Sequence, residues 1–88
     1  MDAGSRPRLV PKAMLKRDKV RDADLLLLPE RVVKLNTSGA AILRLCDGSR
    51  TVGELVARLE EEFDTTGLTD DVLTFLNDAR VQGWVVPG

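Results

Sequence analysis

The sequence predicts an α+β fold in which a three-stranded antiparallel sheet is followed by three helices. Three observations predict it. Residues 25–35, LLLLPERVVKL, set two short apolar runs on either side of a Pro-Glu pair, which is the pattern of a hairpin. After Leu35 the apolar period lengthens from two residues to about 3.6. Helix-start residues then recur, at Asn36 or Thr37, at Thr51 and at Thr69.

The chain has 88 residues, enough for one domain with one modest core. Residues 1–10 predict a flexible polar tail and residues 11–88 the domain itself. Within it, PKAMLKR from Pro11 to Arg17 predicts the first strand, because proline is tolerated at a strand's first residue or on an edge. The aspartates of DKVRDAD make the turn to the second strand. Four consecutive leucines, Leu25 to Leu28, imply that both faces of this middle strand are at least partly covered. In the third strand Val33 and Leu35 share one face and Val32 and Lys34 the other, since side chains alternate.

The first helix takes Asn36 or Thr37 as its cap, stacks Ala41 with Leu45 and Ile42 with Cys46, and stops at Asp47 and Gly48. Thr51 and Glu54 form a capping box for the second, whose stripe is Val52, Leu55, Val56, Leu59 and Phe63. The third is capped by Thr69 and closed by Gly83, with Val72, Phe75, Leu76 and Ala79 toward the core. Leu73, Asn77, Arg80 and Val81 fall on an adjoining face that the core does not need. Trp84 is expected to cover the end of the core with its N–H near water.

The sequence contains no histidine and one cysteine, Cys46, which removes the usual metal cluster, any internal disulfide and the commonest general base. An enzyme is therefore not expected, and Cys46 reads as a small buried hydrophobe. No apolar run is long enough for a membrane span and the N-terminus lacks a signal-peptide pattern, so the expected location is cytoplasmic. Strands before helices joined by a tight turn resemble a winged helix-turn-helix, which raises a DNA-binding regulator as an alternative. The charges oppose it: the third helix sets Asp70, Asp71 and Asp78 against Arg80, and the second sets four glutamates against Arg58. A self-pairing oligomerisation module is the other alternative, through an unpaired strand edge.

LLLLPERVVKLNTSGAAILRLCDGSRTVGELVARLEEEF resembles the centre of the pyrroloquinoline quinone (PQQ) biosynthesis protein D (PqqD) family. There an L-x-P-E hairpin, a V-x-L-N strand end, an I-L-x-L-C-D-G helix end and a T-x-x-E-L helix start follow in this order. The resemblance continues through LNDARVQGW and covers nearly the whole chain after about Lys12. It departs at Arg31, where a glycine often follows the Pro-Glu pair, and in having no aromatic residue among Leu25 to Leu28.

The resemblance implies a non-catalytic peptide chaperone without a cofactor. As an element recognising a ribosomally made, post-translationally modified peptide (RiPP), it would bind the precursor and present it to a radical S-adenosylmethionine (SAM) enzyme that cross-links a Glu and a Tyr side chain. The acidic helices and the short apolar runs argue against a nucleic-acid or membrane partner. A functional monomer is expected, with a dimer by strand exchange compatible with the pattern. Related elements take the leader as an added strand on the outer strand of the wing, beside the last helix. Carried over, the edge is Arg31, Val32, Val33, Lys34 and Leu35, and the groove wall is Leu73, Asn77, Arg80 and Val81.

Overall fold

In the computed structural model, which describes residues 1–87, the Pro29-Glu30 pair closes a two-residue hairpin loop. Leu28 and Arg31 exchange both backbone hydrogen bonds across it, Leu28 N to Arg31 O at 2.9 Å and Arg31 N to Leu28 O at 3.3 Å. That pair sets the register of strand β3 (Ala23–Leu27) against β4 (Val32–Leu35), with Leu26 opposite Val33 and Asp24 opposite Leu35. Strand β2 (Met14–Asp18) lies antiparallel on the other side of β3, so the sheet order is β2-β3-β4. Leu26 and Leu35 are buried and Val32 and Lys34 exposed, the alternation expected of the third strand. Two short strands outside this sheet, β1 (Arg8–Leu9) and β5 (Val85–Val86), pair antiparallel with each other. Gly88, the last residue of the expected domain, lies outside the described residues.

Helix α1 (Thr37–Arg44) is capped by Asn36, whose Oδ1 accepts from Gly39 N at 2.7 Å. It stops earlier than Asp47. Leu45 N and Cys46 N already reach back only three residues, to Ile42 O and Leu43 O, and a tightened last turn ends the helix. Helix α2 (Val52–Glu62) carries the expected capping box, with Glu54 N donating to Thr51 Oγ1 and Thr51 N to Glu54 Oε1. Helix α3 (Thr69–Val81) corrects the expectation at Thr69. Leu68 enters already in helical conformation without a side-chain cap, so Thr69 is the first helical residue and Asp70 and Asp71 face the positive end of the dipole.

Residues 1–10, expected as a flexible tail, supply β1 and the missing partners of α2. Val52 N donates to Ser5 O at 2.8 Å and Gly53 N to Ala3 O at 3.1 Å, which, with the Thr51 hydroxyl, satisfies the first three helical donors. Pro7 is fully buried. The core packs Leu26, Leu43, Leu55, Leu59, Leu76, Val52 and Val85 where sheet and helices meet. Trp84 departs from expectation. Its backbone is tied on both sides, N to Ala79 O and O to Val10 N, and the ring packs on the core with Nε1 enclosed and without a hydrogen-bond partner among the described residues.

Cys46 lies in this core and its thiol donates to Ile42 O at 3.2 Å. Burial first, and then the Asp47 carboxylate, pushes its ionisation from 9.0 up to about 12. The folded chain keeps a proton that the unfolded chain loses, so this contribution to stability is complete below pH 9.0 and disappears as the pH rises toward 12. The melting temperature of the wild type is expected to fall several degrees further than that of Cys46→Ala between about pH 8 and pH 10.5. Parallel curves for the two proteins would show that the thiol is not held neutral by the fold.

Candidate functional site

Hydrogen bonding alternates along an antiparallel pair, so the double bond between Leu28 and Arg31 fixes which residues of β4 face β3. Val33 and Leu35 bond inward, to Leu26 and Asp24. Val32 and Lys34 turn their N–H and C=O groups outward. With β4 at the edge of the sheet, these two residues are the free backbone of the site. Their side chains, and that of Arg31, are exposed.

Helix α3 lies beside this edge and is tied to it at one end, where Arg31 donates to Gln82 Oε1 at 3.0 Å. At the other end Asn36, just past β4, shares a cleft of about 520 Å³ with Phe63, Leu68, Asp71, Phe75 and Asp78. The two contacts make α3 run antiparallel to β4. Gly39 sets the spacing: a Cβ there would lie 2.9 Å from Asn36 Oδ1 and 3.1 Å from the Phe75 ring, so only glycine lets α1 approach so closely. Phe75, expected in the core stripe, is thereby half-buried and forms part of the cleft. Phe63 is likewise turned outward, at 42% exposure.

The structure sets Val32, Val33, Lys34 and Leu35 in β4 with Arg31 just ahead of it, and the α3 residues that share a contact or the cleft with this edge are Gln82, Asp71, Phe75 and Asp78. At 3.6 residues per turn, Asp71, Phe75, Asp78 and Gln82 lie to one side of the buried Val72, Leu76 and Ala79, and Leu73, Asn77 and Arg80 lie to the other. None of the groove residues expected from sequence lines the cleft. Leu73 packs half-buried on the core, Asn77 Oδ1 accepts from the Met1 ammonium at 2.7 Å, Arg80 is exposed, and Val81 points outward at 86% exposure. The helical period marks two flanks beside the core stripe with equal strength. Which one faces β4 is decided by the packing of α1 against Phe75. The sequence signal for the cleft was Phe75 itself, an aromatic residue at the border of its stripe.

The site pairs cations on the strand, Arg31 and Lys34, with carboxylates on the helix, Asp71 and Asp78, around an apolar floor. This arrangement suits an extended chain: the free edge satisfies its backbone, and the cleft takes a side chain. Among the described residues there is no cluster of metal-ligating side chains, and no helix is long and apolar enough to cross a membrane.

Residues 25–85 match the family model described as Coenzyme PQQ synthesis protein D (PqqD). The chain belongs to the PqqD family. The match takes in the hairpin, all three helices and the start of β5. A PqqD relative named PqqA binding protein, from Pseudomonas aeruginosa PAO1, is 41% identical over 88 residues, covering 92% of this chain and 96% of its own. The PqqA binding protein of Pseudomonas paraeruginosa is 45% identical over 69 residues, covering 77% of this chain and 75% of its own. The fold matches the solution structure of the PqqD truncation of Methylobacterium extorquens PqqCD with a TM-score of 0.77 at 30% identity, over 91% of this chain and 87% of that one. That structure is described as a functional, stand-alone RiPP recognition element.

The edge phase is open to direct measurement. In native-state hydrogen exchange the amides of Val32 and Lys34 are expected to exchange at least about tenfold faster than those of Val33 and Leu35. Equal protection of all four would place the free groups elsewhere.

Proposed function

We infer that this PqqD family member is a non-catalytic peptide chaperone of PQQ biosynthesis that binds the precursor peptide PqqA as a strand added to β4. The observation that carries this reading is the free backbone of Val32 and Lys34 running alongside α3 and ending at an apolar cleft. Backbone pairing gives affinity with little dependence on sequence, and the cleft supplies selection. The names of the Pseudomonas relatives support the same ligand, and the description of the Methylobacterium structure as a RiPP recognition element supports the same role.

The finer points rest on the sequence. The fold is read as winged helix-turn-helix-like, the wing being β3 and β4, and the protein as a cytoplasmic monomer. A radical SAM enzyme is the recipient of the loaded peptide. The expected peptide-binding residues Arg31, Val32, Val33, Lys34 and Leu35 are retained, as β4 and the residue just before it. On α3 the wall is assigned to Phe75, Asp78 and Gln82, while Leu73, Asn77, Arg80 and Val81 form the comparison set. A regulator of DNA is disfavoured because α3 offers aspartates to the phosphate backbone.

Titration with labelled PqqA tests both halves of the site. Lys34→Pro deletes an outward donor and is expected to weaken binding by about tenfold or more, roughly 1.4 kcal/mol, in a folded protein. Val33→Pro deletes an inward donor and is expected to lose the hairpin itself, seen as a lowered melting temperature. Normal binding by a folded Lys34→Pro variant would remove β4 from the site.

Added bulk separates the two flanks of α3. Asp78→Trp is expected to fill the cleft and weaken PqqA by about tenfold, whereas Arg80→Trp, on the far flank, is expected to stay within about twofold of wild type. The opposite order of effects would return the groove to the flank of Leu73, Asn77 and Arg80.

A further inference from the structure

The β4 edge carries opposite charges at its two ends. At its start Arg31 is exposed, and the side-chain hydrogen bond to Gln82 Oε1 at 3.0 Å leaves most of the guanidinium donors free. At its end Asn36, still extended, opens the cleft of about 520 Å³ that the Asp71 and Asp78 carboxylates line. From Arg31 to Asn36 the chain advances roughly 16 Å at the rise of a strand. From Gln82 back to Asp71 helix α3 also covers roughly 16 Å. Strand and helix flank are thus matched in length, with the cation at one end and the carboxylates toward the other.

Neither end is neutralised from within. Among the described residues Arg31, Asp71 and Asp78 take part in no ion pair, and no lysine or arginine lines the cleft. The N-termini of α1 and α3 lie at this end and bring about half a positive charge each. Asp70 offsets that of α3, and two full carboxylates outweigh that of α1. The remaining lining is largely apolar, with Phe63, Leu68 and Phe75 exposed in part. A long side chain with a cationic head suits both features: its methylenes cover the apolar lining, and its charge meets the carboxylates and the ring faces. An aliphatic side chain would leave the carboxylates unpaired, and an acidic one would be repelled.

We propose that the β4 site is charge-polarised and selects a segment of PqqA that sets a lysine or arginine in the cleft beside Asp71 and Asp78 and an aspartate or glutamate at Arg31, about five residues away. This rests on strand addition at β4. Backbone pairing alone leaves direction and register open, because an edge accepts a chain running either way and a slip of two residues restores the same bonds. Opposite charges at the two ends remove that freedom. A reversed peptide would meet Arg31 with its cation and the aspartates with its carboxylate, and a slipped one would break both pairs.

The full chain is titrated with labelled PqqA at low salt and at about 0.5 M salt. The variants are Arg31→Gln and Asp71→Asn combined with Asp78→Asn, all at exposed positions and expected to keep the wild-type melting temperature. Each is expected to weaken PqqA by about three- to fivefold at low salt, with the loss shrinking at high salt. Arg31→Lys, which restores the charge without the guanidinium fork, is expected to recover most of the loss. Each variant is then paired with PqqA peptides in which one basic residue is replaced by norleucine or one acidic residue by its amide. In these double-mutant cycles Arg31→Gln is expected to couple to an acidic residue of PqqA and the aspartate variant to a basic one, about four to six positions apart. Wild-type affinity in both variants overturns the proposal, as does the absence of coupling to any charged residue of PqqA. Where Lys34→Pro still abolishes binding, that result removes the polarity and keeps the edge; normal binding by a folded Lys34→Pro variant removes the edge itself.

Discussion

The two hydrogen bonds exchanged by Leu28 and Arg31 across Pro29-Glu30 govern everything that the hairpin does. Side chains in a strand alternate with a period of two, so a slip of one residue would send Leu26 and Leu35 into water and Val32 and Lys34 into the core. The same parity assigns the backbone. It turns the amides of Val33 and Leu35 toward β3 and leaves those of Val32 and Lys34 free at the edge. Core, binding edge and outer face are thus three consequences of one turn.

An open edge is a hazard as well as a site, because it pairs with any extended chain. Arg31 and Lys34 place charge along it, and α3 runs beside it at the distance set by Gly39 against Phe75. The rest of the domain holds strand and helix in place with few resources. Among the described residues Cys46 is a free, buried thiol, so packing of leucines and valines carries the stability. The N-terminal segment contributes by bonding its carbonyls to the first turn of α2 and by pairing β1 with β5, which ties both ends of the chain together.

Departures from local rules collect around the site. Phe63 and Phe75 belong by period to core stripes, yet both line the cleft. Val32 is exposed although it lies in an apolar run. Each is a local preference overridden by tertiary packing. Trp84 Nε1 is a different case, an enclosed donor among apolar neighbours for which the fold offers no physical account.

The sequence by itself determined what nearest neighbours along the chain determine. The Pro-Glu turn, the alternation in β4, the Asn36 cap and the Thr51–Glu54 box all depend on residues within about four positions of one another. Family membership was legible for the same reason, since its motifs are these local signals in order. The tertiary structure alone decided which flank of α3 faces β4. Leu73, Asn77 and Arg80 on one side and Phe75, Asp78 and Gln82 on the other border the same buried stripe, and helical periodicity treats them alike. Their difference arises when Gly39 admits the Phe75 ring and Arg31 reaches Gln82, contacts that join residues 36 and 51 positions apart. The anchoring of residues 1–10 was hidden likewise, because carbonyls at Ala3 and Ser5 acquire a role only once the fold sets them against the unpaired N–H groups of α2.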